Sequence, residues 1–120
     1  MDNAAEAANE RILDTLGMAR RAGKLAVGQD KVLASLRRRE PLLAVVTNDC
    51  SGSVLRSLNA GAARGEVRIL VLKNVDRTVL GKRLGVGSAQ VAALPCGGGF
   101  AEKVLSLYYG SDADEQNQSV

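Results

Sequence analysis

Apolar residues along the chain follow two spacings, one typical of helices and one typical of buried strands. At Ile12, Leu13, Leu16 and Ala19 they recur every three or four residues, which predicts a helix with one buried face. LLAVVTND and VRILVLK are instead continuous β-branched runs, as in strands that are buried on both faces. Together the patterns predict five helices, at 9–21, 28–39, 51–64, 76–84 and 100–109, and four strands, at 24–27, 42–49, 67–73 and 89–94.

Regular alternation of helices and strands predicts an α/β fold, namely a three-layer α-β-α sandwich with a mixed sheet of about four strands. The 120 residues suit one domain with an aliphatic core. Residues 1–8 and 111–120 lack an apolar pattern, so we expect a frayed N-terminus and an acidic disordered tail. The single domain therefore spans residues 9–110, and its ligand is expected at the loops on one end of the sheet.

Several residues mark the predicted ends of these elements. Gly23 follows the last apolar position of the first helix and is expected to stop it. Asp76 suits the start of the fourth helix, and Ser51 or Ser53 suits the start of the third. The glycines of CGGG at 96–99 predict a turn before the last helix.

Charge is unevenly distributed along the chain. There are 16 Lys and Arg and 13 Asp and Glu, which gives a net charge of +3. Six of the acids lie near the two ends: Asp2, Glu6, Glu10, Asp112, Asp114 and Glu115. The central domain is therefore clearly basic, which favours a polyanionic partner.

The composition argues against most catalytic chemistry. The chain has no histidine and no C-x-x-C pair, which disfavours ordinary zinc sites and histidine-based triads. We find no pairing of a nucleophile with a base, and we expect no enzyme, no metal and no cofactor. Cys50 and Cys96 are expected to be reduced thiols of a cytoplasmic, monomeric protein. No apolar run approaches the ~20 residues of a membrane span.

The stretch AGKLAVGQDK has the glycine spacing of a phosphate-binding P-loop, at Gly23 and Gly28. A P-loop follows a strand and continues with Lys and Ser or Thr, whereas Gly23 follows a helix and the next positions are Gln29 and Asp30. The stretch is therefore not a nucleotide site of that kind.

Gly28 can instead open a helix whose first amides point outward and attract an anion. The residues of this candidate site are Gly28, Gln29, Asp30 and Lys31, with the upstream cations Arg20, Arg21 and Lys24. The alternative is that Gly28 only turns the chain from strand to helix. These features alone leave the two interpretations open.

A second candidate site follows the predicted fourth helix. Lys82 and Arg83 are basic, and the loop from Gly85 to Ala89, with Val86, Gly87 and Ser88, is small and apolar. Such a loop can pack on an unstacked base while cations bind phosphate. A plain turn between helix and strand is the alternative.

The segments LGMARRAGKLAVGQDKVLASLRR, LLAVVTNDCS, VLKNVDRTVLGKRLGVG and QVAAL resemble the kink-turn-binding ribosomal-protein family, in particular its small bacterial YlxQ-like branch. The resemblance covers about residues 9–109. It implies non-catalytic binding of a sharply kinked RNA, ribosomal or other, and a link to the ribosome or translation machinery. It also implies two binding elements, the start of the second helix and the apolar loop before the last strand.

The family pattern Gly-Thr-Asn-Glu-x-x-Lys falls on Gly28, Gln29, Asp30, Lys31 and Ala34. Asp30 accepts hydrogen bonds but cannot donate them. Lys31 reverses a charge, and Ala34 removes one. The loop is also about two residues shorter than in strong binders. These departures favour contacts to the RNA backbone over base readout, carried by Arg20, Arg21, Lys24, Lys31, Lys82 and Arg83.

Two other functions fit the same sequence. The chain could be a protein-interaction or assembly module that has lost specific RNA recognition, which the changes at Lys31 and Ala34 suggest. It could also be the substrate-recognition fragment of an RNA methyltransferase, since some of these enzymes carry a similar fold.

Overall fold

The computed structural model describes the backbone of residues 3–118 and the side-chain environment of residues 5–110. Within this range the elements follow the predicted order. The helices are α1 (Asn3–Arg21), α2 (Gln29–Arg37), α3 (Gly52–Ala63), α4 (Arg77–Arg83) and α5 (Gly99–Gln118). The strands are β1 (Ala26–Val27), β2 (Leu42–Val46), β3 (Val67–Val71) and β4 (Val91–Pro95).

The four strands form one mixed sheet in the order β1-β4-β2-β3. β2 and β3 are parallel, and β4 runs antiparallel to both of its neighbours, β1 and β2. Val46 at the end of β2 lies opposite Val71 at the end of β3 and Val91 at the start of β4. The starts of α2, α3 and α4 and the loop before β4 therefore share one end of the sheet.

Helices cover both faces of the sheet. On one face α1, α4 and α5 pack on β2, β3 and β4 through a core that includes Leu16, Leu80 and Val104. On the other face α2 and α3 bury Val32 and Leu58 against the opposite sides of the same strands. The predicted three-layer α-β-α sandwich is confirmed.

The two terminal helices are longer than the sequence patterns predict. α1 begins at Asn3 rather than residue 9, because the alanine-rich start has high helix propensity and α1 packs alongside α5, where Ala5 and Ala8 line one concavity with Tyr108 and Tyr109. The backbone of α5 continues to Gln118, through most of the segment expected to be a disordered tail. Residues 1–2 and 119–120 lie outside the described range.

The first strand is shorter than predicted, because the hydrogen bonds that end α1 reach as far as Lys24. Gly23 adopts a left-handed φ of 74°, and its N–H donates to the Arg20 carbonyl at 3.0 Å. The N–H of Lys24 donates to the Ala19 carbonyl at 2.9 Å, which completes a glycine-based helix end. The prediction that Gly23 stops the first helix is confirmed.

Candidate nucleic-acid interface

Gly28 turns the chain from β1 into α2 within a single residue. Its φ of 92° and ψ of 158° are essentially restricted to glycine. Its N–H donates to the Val91 carbonyl at 2.9 Å, and its own carbonyl accepts from Val32 at 3.1 Å. No side chain in the described range caps the helix. The first amides of α2 are therefore available to an anion.

The loop from Gly85 to Ala89 folds back over α4. Gly85 has a left-handed φ of 76°, its N–H donates to the Lys82 carbonyl, and the Val86 N–H donates to the Gly81 carbonyl at 2.8 Å. The Ala89 N–H donates to the Arg77 carbonyl at 3.0 Å. Both ends of the loop are thus fixed to the helix that precedes it.

Gly81 allows this loop to lie directly on α4. A β-carbon at Gly81 would stand 2.4 Å from the Cα of Ser88 and 2.9 Å from the carbonyl carbon of Gly87. Hydrophobic spacing does not predict this contact. A glycine inside a helix nevertheless costs about 1 kcal/mol relative to alanine, so it indicates a position where close packing excludes a side chain.

The start of α2 and the loop meet in one cleft of about 390 Å³. The described residues that line it are Arg20, Leu25, Val27, Gly28, Lys31, Val86 and Ser88. The two cations, Arg20 and Lys31, are both exposed, and no acid is present among these lining residues. The cleft therefore combines positive charge, unpaired helix amides and a small apolar wall.

Arg83 lies outside the cleft, in an ion pair with α1. Its guanidinium bonds the Glu10 carboxylate, with Nη1 and Oε1 2.6 Å apart, and also bonds the Asp14 carboxylate. The hydrogen bond to Glu10, followed by the other interactions with these two acids, raises the pKa of Arg83. The charge of Arg83 is thus largely balanced within the protein, where it joins α4 to α1.

The remaining predicted cations occupy different positions. The Arg21 guanidinium lies back along α1, near Gly17. Lys24 lies at the Pro95 end of β4, so the length of β1 separates it from Gly28. Lys82 is exposed on α4 but does not line the cleft. Of the predicted basic residues, the structure brings only Arg20 and Lys31 together with Gly28 and the loop.

A clamp between Asp49 and Arg77 holds α4 in place. The Arg77 backbone N–H donates to Asp49 Oδ1 at 3.0 Å, and its guanidinium donates to Asp49 Oδ2 at 3.2 Å and to the Asp49 carbonyl at 2.8 Å. Because the Arg77 carbonyl also accepts from Ala89, the clamp indirectly fixes the end of the loop. As predicted, Asp76 caps α4, with Oδ1 accepting from Val79 at 2.9 Å.

The clamp depends on the charge of Asp49. The buried Thr47 hydroxyl, which has no well-aligned partner among the described residues, lies close enough to stabilise that charge. Thr47 and then the hydrogen bonds from Arg77 lower the pKa of Asp49 below its ordinary value near 3.8. A lowered pKa means that the stabilisation is complete above the unfolded-state pKa and is lost as pH falls through the folded-state pKa.

We expect Asp49→Asn to be less stable than the wild type at neutral pH, with the difference shrinking below about pH 3.8. Urea titrations of both proteins between neutral pH and pH 3 measure this. A difference that stays constant or grows on acidification would show that the Asp49 charge does not contribute. Asn48→Ala, at an exposed neighbouring position, is the control that keeps the carboxylate.

Other kinds of site have little support in the described residues. Among them, no group of three or more Cys, Asp or Glu is arranged to hold a metal ion. None of the described helices is both long enough and apolar enough to cross a membrane. Cys50 and Cys96 are free thiols.

Comparison with known proteins bears on this site. A model of the ribosomal protein L7Ae/L30e/S12e/Gadd45 family matches residues 10–100. The RNA-binding protein YlxQ of Bacillus subtilis is 30% identical over 92 residues, which are 77% of this chain and 89% of that protein.

Two solved structures share the fold. A Bacillus halodurans protein of unknown function has a TM-score of 0.69 at 24% identity, covering 81% of this chain and 95% of its own. The 15.5kD RNA binding protein of Giardia lamblia has the same TM-score at 15% identity, and the match covers 94% of this chain and 98% of that protein. Since the family match extends from α1 into α5 and includes every residue that lines the cleft, the chain belongs to the ribosomal protein L7Ae/L30e/S12e/Gadd45 family, and it is similar to the YlxQ branch predicted from its sequence.

Proposed function

We propose that this protein binds structured RNA, without catalysing a reaction, through the cleft between the start of α2 and the Gly85–Ala89 loop. The observation that carries the proposal is the meeting of Arg20, Lys31 and the uncapped start of α2 in one cleft. Membership of a family with a relative named as an RNA-binding protein supports it.

The phosphate backbone of the RNA is the main target of this cleft. The first amides of α2 carry the positive end of the helix dipole, and Arg20 and Lys31 line the same cleft as Gly28. Arg20 can form two parallel hydrogen bonds to one phosphate, whereas Lys31 acts as a mobile point charge. A phosphate in the cleft therefore meets both charge and directed donors.

The apolar wall of the cleft can pack against a nucleobase. Val86 is half-buried against the core, and Gly87 and Ser88 are exposed on the loop. An unstacked base can pack on this wall while its phosphate lies at the start of α2. Sharply kinked RNA exposes such bases, so a kink-turn in a ribosomal or other translation-related RNA is the proposed ligand.

The test is fluorescence anisotropy with a kink-turn RNA and a straight duplex of equal length. We expect the kinked RNA to bind more tightly. If Arg20 and Lys31 each neutralise one phosphate, a plot of log affinity against log salt concentration should have a slope of about −1.5 or steeper. Equal affinity for both RNAs would contradict recognition of the kink, and salt-independent binding, or none, would contradict the whole proposal.

A further inference from the structure

A second concave surface lies at the other end of β1 and β4. It is a groove of about 770 Å³ between the end of α1, the end of β4 and the start of α5. Its floor is apolar: Met18, Leu94, Pro95, Phe100 and Ala101. Met18 keeps 38% of its surface exposed, which is unusual for a large apolar side chain in this protein.

The rim of the groove is positively charged. Lys24, which follows α1, and Lys103, on α5, both line it, and among the described lining residues there is no Asp or Glu. Burial raises the pKa of the Cys96 thiol, so this lining side chain is neutral near pH 7. The groove thus combines an apolar floor with two cations.

The groove and the RNA cleft are separate surfaces. Ala26 pairs with Ala93 and Val27 with Ala92, so β1 runs from the Pro95 end of β4, where Lys24 lies, to the Val91 end, where Gly28 lies. No residue lines both surfaces. A ligand in the groove therefore leaves the cleft accessible.

The turn beside the groove leaves its backbone open to a ligand. A β-carbon at Gly97 or Gly99 would meet no atom within 4 Å, and at Gly98 it would meet only the Pro95 carbonyl, at 3.9 Å. An extended chain can approach such a surface closely, because no side chain covers it.

We propose that this groove binds an acidic segment of a partner protein, one that places a bulky apolar side chain between carboxylates. The apolar side chain covers Met18, Pro95 and Phe100, while the flanking carboxylates lie against Lys24 and Lys103. RNA fits less well, because its charged backbone would have to cross a mainly apolar floor. The proposal does not depend on RNA binding in the cleft.

NMR titration of the ¹⁵N-labelled full chain tests this. The probe is the peptide acetyl-Asp-Asp-Leu-Leu-Asp-Asp-amide. We expect shifts at Lys24 and at the amides of residues 97–103, with Kd below about 1 mM, as for weak peptide motifs. The amides of residues 28–31 should not move. Two control peptides replace the leucines by serine or the aspartates by lysine, and both should bind at least about tenfold more weakly.

Reversing the charge of the two groove lysines is a second test of the proposal. Lys24→Glu with Lys103→Glu, both at exposed positions, should weaken the acidic peptide by at least about tenfold. Arg56→Glu with Lys73→Glu changes net charge equally elsewhere and should have little effect. The proposal is overturned if the acidic peptide causes no shifts in the groove, if the lysine-flanked peptide binds equally well, or if the control variant loses as much affinity. Stronger shifts at residues 97–103 from oligouridine would assign the groove to RNA instead.

Discussion

Replacing Gly81 by alanine is expected to displace the Gly85–Ala89 loop and to lower RNA affinity by about tenfold or more. The added β-carbon would stand 2.4 Å from the Cα of Ser88. A β-carbon and a Cα are both fixed by the backbone, so a side-chain rotation cannot relieve the clash. Forcing extra volume into such a contact costs about 1–3 kcal/mol. Urea unfolding measures the loss of stability, and anisotropy with kink-turn RNA measures the loss of binding.

Gly87→Ala is the matched control for this variant. It adds the same methyl group on the loop side of the same contact rather than on α4, but its β-carbon would meet no atom within 4 Å and its φ is not left-handed. We expect stability within about 0.5 kcal/mol of the wild type. If Gly81→Ala binds RNA as well as Gly87→Ala does, the position of the loop does not determine affinity.

Reversing both charges of the cleft, with Arg20→Glu and Lys31→Glu, is expected to lower RNA affinity by about 100-fold or more at low salt. Each substitution removes one phosphate contact and adds repulsion, so the slope of log affinity against log salt should become shallower by about 1.5. Both side chains are exposed, so stability should change little. Anisotropy at several salt concentrations measures affinity and slope together.

Two further variants make this result specific. Arg37→Glu with Lys73→Glu gives the same net charge at exposed positions outside the cleft, and we expect a much smaller loss of affinity. Arg83→Gln removes the ion pair with Glu10 and Asp14, so it should lower stability more than RNA affinity. If Arg83→Gln loses affinity as strongly as the cleft variant, Arg83 contacts RNA as the sequence predicts.

The sequence predicts the order of elements and several of their ends, because these depend on neighbouring residues. Hydrophobic spacing locates the buried faces of α1 and β2, while Gly23 and Asp76 end or begin helices through contacts with residues at most five positions away. The sequence also predicts that Gly28 opens α2. A glycine is needed there because the backbone adopts a conformation that is essentially restricted to glycine.

The arrangement of the candidate site is less predictable, because it depends on contacts between distant positions. Arg83 pairs with Glu10 and Asp14, which are 73 and 69 positions earlier, and no local pattern signals that pairing. Lys24 is only four residues from Gly28, but the intervening strand directs the two to opposite ends of the sheet. From the neighbouring sequence alone, Gly81 is a residue that weakens α4. Its close packing against Gly87 and Ser88 is apparent only in the folded structure.

The central place of β4 in the sheet has a consequence for the protein during its synthesis. β1 pairs only with β4 within the described sheet, and the Gly28 N–H needs the Val91 carbonyl. A nascent chain that ends before β4 therefore has neither a paired β1 nor the fixed start of α2. Because long-range contacts form only after both partners have been translated, the start of α2 is fixed only once β4 has been made, at about four-fifths of the chain. An incomplete chain therefore lacks the assembled cleft.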